Sequence, residues 1–133
     1  MPQFQSDAAN RAGINLDPFV SAYILAAYWT STGDSDQPDS EAEMSLDAIN
    51  QAIAECNSFR VAAAAELAIA CDRNGYSEER AGHDFWLTRN GHGCGYWDRD
   101  ELEAGNRDRL SDLAREAGHA DLYDGDNGLL YFG

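Results

Sequence analysis

The sequence predicts an α+β fold in which N-terminal helices, one of them long, pack on a C-terminal ββαββ antiparallel sheet. Three observations predict it. An almost wholly apolar run, FVSAYILAAYW, follows Asp17-Pro18. Apolar residues recur at three- and four-residue spacing from Leu46 to Ala70. Two aromatic-rich stretches then each straddle a glycine-bearing turn, at Asn90-Gly91 and at Asp124–Gly128.

In chain order, residues 1–16 are polar and aperiodic and read as a loosely held lead-in to a single domain spanning 1–133. Asp17 is a good N-cap and Pro18 a good first helical residue. The run that follows is apolar nearly all round, so its helix should be buried on most sides before stopping at Thr30–Gly33. Residues 34–44 form an acidic loop. Residues 34–43 alone hold five acids, one proline and no base.

Ser40 with Glu43 has capping-box spacing, and Ser45 with Asp47 is a second possible start. From there one long helix is expected to about Asp72, with Leu46, Ile49, Ile53, Cys56, Ala63, Leu67 and Ala70 along one stripe and Phe59 beside it. Asn74-Gly75 would close it, and Cys56 and Cys71 should be core thiols. Ser77–Ala81 suggests one helical turn. Asp84–Arg89 and Gly95–Arg99 read as strands around a type I′ turn at Asn90-Gly91, pairing Leu87 with Cys94 and Phe85 with Tyr96. A third helix fits Arg107–Ala117, capped by Asn106 and ended by Gly118. Asp121–Tyr123 and Leu129–Phe132 would be the last two strands.

Charge narrows the function. Twenty-four acids face nine arginines and no lysine, for a formal net charge of −15. Such a surface repels nucleic acid and anionic membrane, and it favours a basic partner, a cation or simple solubility. The longest uncharged apolar stretch, Pro18–Trp29, is shorter than the ~20 residues a bilayer span needs. Three cysteines without pattern fit a reducing compartment, so the expected location is cytoplasmic.

Candidate chemistry is sparse. His83, His92 and Cys94 could be metal ligands, but no fourth ligand accompanies them. Gly91–Gly95 resembles a phosphate loop yet lacks the lysine and the following helix. Asp124–Gly128 starts like a calcium loop but has glycine at its fifth position, where Asp or Asn should stand. No metal, cofactor or catalytic residue is therefore expected. The competing reading is a small hydrolase or metal-dependent enzyme using His83, Asp84, His92 and nearby acids.

Three segments carry a resemblance: Gly82–Arg99 (GHDFWLTRNGHGCGYWDR), Tyr23–Ser31 (YILAAYWTS) followed by the acids from Asp34, and Asp121–Gly128 (DLYDGDNG). Together they resemble a family of small acidic phage-encoded proteins with a block of the type GHDFWLTRNGHGxGFWDR and no established activity. This chain has Cys94 where that block usually has alanine and Tyr96 where it has phenylalanine. The resemblance implies a phage protein acting in the host cytoplasm. Small acidic phage proteins can inhibit host defence, including CRISPR systems, some by imitating the phosphate pattern of DNA.

The leading expectation is thus a non-enzymatic protein that binds a basic surface on a host nucleic-acid-handling protein or nucleoprotein complex, without binding nucleic acid or membrane itself. Its contact residues would be Asp34, Asp36, Asp39, Glu41, Glu43 and Asp47, then Asp98, Asp100, Glu101 and Glu103, then Asp121, Asp124 and Asp126. A phage accessory protein whose acidity serves only solubility is the remaining expectation.

Overall fold

Asp17 and Pro18 begin the first helix by the chemistry their side chains dictate. Asp17 stays extended and its Oδ1 accepts the Val20 N–H at 2.9 Å, while proline occupies a first-turn position that has no use for an N–H. The computed structural model describes residues 9–10, 12–39, 41–72, 76–91 and 95–133. Helix α1 runs Pro18–Ser31 and buries Phe19, Val20, Tyr23, Ile24, Ala26 and Ala27. Ala9 and Leu16, which precede it, also belong to the core.

Helix α2, Leu46–Ala62, starts at Ser45, whose Oγ accepts the Ala48 N–H at 3.0 Å. Ser40 lies outside the described residues. The expected single long helix is in fact two. Ala63 leaves helical geometry at φ −103° and ψ 15°, and α3 continues over Ala64–Cys71. No glycine or proline marks that break. Of the two thiols assigned to the core, Cys56 is buried and Cys71 is exposed. Asn74 and Gly75 fall outside the described residues.

The largest correction concerns the expected central hairpin. Residues Glu78–Arg89 form one helix, α4, with Ser77 as N-cap. Asp84–Arg89 is its second half, and the register pairing Phe85 with Tyr96 does not exist. Asn90 is the C-cap and Gly91 has φ +68°, so the Asn-Gly pair ends a helix instead of reversing a strand. The helix wins because tertiary packing covers its second half, Asp84–Arg89, on all sides while its backbone satisfies itself. Phe85 stacks on Phe59 at 4.1 Å and 11°, and Trp86 meets Tyr23 edge-on at 5.3 Å. Gly82 lets α4 cross α1: a Cβ there would sit 2.0 Å from the Phe19 carbonyl oxygen. His92 and Cys94 lie outside the described residues, and a 3₁₀ turn at Tyr96–Asp98 follows.

Helix α5 spans Ala104–Glu116, starting ahead of the expected Asn106 cap. Asn106 is inside the helix and buried, and its Nδ2 donates to the Glu66 backbone carbonyl and to Glu66 Oε2, pinning α5 to α3. Gly118, at φ +78°, follows its end as expected.

The C-terminal hairpin forms, with β1 at Leu122–Asp124 antiparallel to β2 at Leu130–Phe132 and Tyr123 opposite Tyr131. The expected ββαββ sheet is thereby corrected. Among the described residues the architecture is α+β, helices plus one two-stranded sheet. Met44 adds a single parallel bridge to Leu130, on the edge of β2.

Candidate interaction surface

Within Gly82–Arg99, Asp84, Thr88 and Arg89 are buried. Asp84 is fully buried and its carboxylate is occupied: Arg99 donates through Nε to Oδ2 at 2.9 Å and through Nη2 to Oδ1, while the Tyr76 hydroxyl donates to Oδ2 at 2.8 Å. Burial, together with the neighbouring Tyr96 and Asp84, holds the Tyr76 phenol far above its ordinary pKa. Arg89, also buried, donates to the Gly118 and Ala117 carbonyls at the end of α5 and to the Tyr23 hydroxyl, and it pairs with Glu55 at 3.1 Å. Thr88 Oγ1 accepts the Tyr96 N–H, the Tyr96 hydroxyl donates to the Ala81 carbonyl, and Asn90 Oδ1 accepts the Ala120 N–H. These contacts join α1, α2, α4 and α5. They build a fold, and they leave Asp84 no free oxygen to act as a base.

His83 is less enclosed. It is half-buried and stacks on Trp29 with ring centroids 5.9 Å apart and planes 26° apart. Burial is the largest influence on it and lowers its pKa from the usual histidine value. Among the described residues, no three His, Cys, Asp or Glu side chains are grouped so as to hold a metal ion.

The arginines decide which acids are balanced. Each of the seven described arginines lies within ion-pair distance of a carboxylate: Arg60 with Asp17, Arg80 with Glu101, Arg89 with Glu55, Arg99 with Asp84, Arg107 with Asp100, Arg109 with Glu66, and Arg115 with Asp112. None of those carboxylates lies in 34–47 or 121–126. No described arginine pairs with Asp34, Asp36, Asp39, Glu41 or Asp47, nor with Asp121, Asp124 or Asp126.

The two acidic segments flank β2. The Leu130 N–H donates to the Glu43 carbonyl and the Ser45 N–H to the Leu130 carbonyl, both at 2.9 Å, so the end of the acidic loop runs along β2 while Asp124 pairs across it. The loop is held at its start as well: Gly33 N–H donates to the Pro38 carbonyl, Gln37 Nε2 to the Thr30 carbonyl, and the Tyr28 hydroxyl to the Ala42 carbonyl. Asp34, Asp36, Asp39 and Glu41 are exposed on it, and Glu43 is half-buried. Asp47 stands in the first turn of α2, where the helix dipole favours it. At the hairpin tip Tyr123, stacked on Tyr131 at 5.9 Å, helps line an open hollow with Asp124 and Asp126.

The third predicted set does not join them. Asp98 ends the 3₁₀ turn and Asp100, Glu101 and Glu103 follow it, in a segment tied to α4 and α5 through Arg99–Asp84, Arg80–Glu101 and Arg107–Asp100. Asp100 and Glu101 are therefore balanced from within.

Sequence reading missed one surface feature. Helix α1 is not covered all round: Leu25 is half exposed and Trp29 is 69% exposed. With no charged residue from Pro18 to Gly33, nothing in the pattern marks which face is bare. No helix among the described residues is long and apolar enough to cross a membrane. No family model, no curated protein and no solved structure matches the chain.

Proposed function

We propose that this chain is a non-enzymatic acidic interaction protein whose carboxylates at 34–47 and 121–126 engage a basic surface of a nucleic-acid-handling protein. One observation carries the reading: the seven described arginines all pair outside these two acidic segments, whose backbones are fixed on either side of β2. Like charges gathered this way repel one another and oppose folding. A loop needed only for solubility has no reason to be pinned at both ends. The resemblance to acidic phage proteins makes a host defence complex that acts on nucleic acid the first partner to test, with the host cytoplasm as the setting. There the carboxylates would occupy the sites of phosphates.

The test is association with such a partner, captured from host cells, measured against salt and against its own nucleic acid. Binding should weaken steeply as the screening length falls from about 10 Å at 0.1 M to about 3 Å at 1 M salt. Replacing Asp34, Asp36, Asp39 and Glu41 by Asn or Gln should slow association with the fold intact, and the nucleic acid should compete. Unchanged association by the neutralised variant, or simultaneous binding of the nucleic acid, refutes the reading.

A further inference from the structure

One face of α1 is bare at a place that is also electrostatically costly. Ala22, Leu25 and Trp29 share that face by their three- and four-residue spacing. Trp29 is the most exposed of the described aromatic residues, yet it is held in place, because one side of its ring lies against His83. Most of its surface is open to solvent. Immediately after it the chain folds back: Gln37 reaches the Thr30 carbonyl, and the closed turn from Gly33 to Pro38 sets Asp34 and Asp36 about the end of the helix, with Asp39 just beyond. That end is the negative pole of the helix dipole, and its last turn contains no base. Carboxylates there work against the helix, and no described arginine pairs with them.

We infer that Trp29, with Asp34, Asp36 and Asp39, is a docking point for an arginine side chain on a basic partner protein. The guanidinium stacks on the open indole face while the carboxylates accept its N–H groups. Arginine suits both demands better than lysine, since its planar fork stacks on aromatic rings and bonds carboxylates in pairs. A second copy of the chain is a poorer occupant. Leu25 and Trp29 expose roughly 250 Å² between them, against about 800 Å² per partner in a standard interface. Two copies would also set one acidic turn against another. Trp97, 43% exposed next to Asp98, lacks this character because Asp100 and Glu101 nearby already hold Arg107 and Arg80.

This inference rests on the proposed binding of a basic surface and names its anchor. Hexa-arginine and hexa-lysine peptides of equal charge test it by calorimetry at low salt, using the wild-type chain, Trp29→Ala, Trp29→Phe, Trp97→Ala and the triple variant Asp34→Asn/Asp36→Asn/Asp39→Asn. The wild type should bind hexa-arginine about five-fold more tightly than hexa-lysine. Trp29→Ala should erase that preference but keep salt-sensitive binding, Trp29→Phe should retain part of it, and Trp97→Ala should keep it whole. The triple variant should weaken both peptides. A preference that survives Trp29→Ala overturns the docking point and leaves the acidic-surface reading standing. So does a concentration-dependent dimer that Trp29→Ala dissolves, which gives the face to a second copy. If neither peptide binds the wild type in a salt-sensitive way, the acidic-surface reading fails first and takes the anchor with it.

Discussion

The segment from Tyr76 to Arg99 and the loop from Asp34 to Asp47 are both rich in ionic side chains, and they treat them in opposite ways. In the first, Asp84 meets Arg99 and Tyr76, and Arg89 meets Glu55, Tyr23 and two carbonyls, all at or below the protein surface. In the second, carboxylates stand in solvent on a backbone that is tied down while no described arginine pairs with the exposed ones. Removing one member of a buried pair strands its partner in low dielectric, whereas an exposed carboxylate is screened by water and salt. Charge in the first region specifies the fold. Charge in the second is left for something outside it.

The contrast breaks most easily at Asp84. Asp84→Ala strands Arg99 and the Tyr76 hydroxyl, and should cost about 3–5 kcal/mol by denaturant titration; a loss under 1 kcal/mol would show that the pair contributes nothing to specification. Gly82→Ala should come next, at about 3 kcal/mol, the upper end of overpacking costs. Its new Cβ would meet backbone on α1, 2.0 Å from the Phe19 oxygen, and not a movable side chain. A variant that melts with the wild type would mean the two helices can part freely.

Neutralising Asp34, Asp36, Asp39 and Glu41 together should instead leave stability within about 0.5 kcal/mol, with any gain disappearing at high salt. Destabilisation beyond about 1 kcal/mol would make those acids internal partners and erase the difference between the regions. The smallest effect belongs to His83. Its folded pKa lies below the usual 6.5 because burial disfavours the charged ring. The unfolded chain therefore binds the proton more readily, so this contribution to stability is complete above the unfolded pKa and is lost as pH falls from there through the folded value. His83→Gln should remove that slope, and an NMR titration placing His83 at or above 6.5 would show that the Trp29 stack does not shelter it.

Sequence made some of this legible for reasons that are local. Asp17-Pro18, Ser45 and Gly118 act within a turn of their own position, and the glycines and asparagine of 125–128 make a turn wherever they fall. The Gly82–Arg99 block was illegible because two chemistries share one signal: Asn-Gly supplies a positive φ to a hairpin turn and equally to the end of a helix. Nor does α4 show an amphipathic stripe, since everything from Phe85 to Arg89 is buried. Its aromatic residues read as strand until α1 is seen to cover them. The acids of the candidate surface were legible as a group. Which of them are balanced was not, because the arginines that decide it lie at separations such as Arg60 to Asp17 and Arg109 to Glu66. Trp29 was missed because an uncharged helix does not reveal its bare side.

The bridge between Met44 and Leu130 closes a loop over most of the chain's length. Non-local closures of this kind come late in folding, because chain entropy must be lost before the contact repays it. Until Leu130 arrives, the end of the acidic segment at Glu43–Ser45 has no edge to run along. Hydrogen exchange at the Ser45 and Leu130 amides would time that change, and a substitution that weakens the hairpin would loosen the acidic segment without touching a single carboxylate. The geometry of the surface is thus under the control of residues that are not on it.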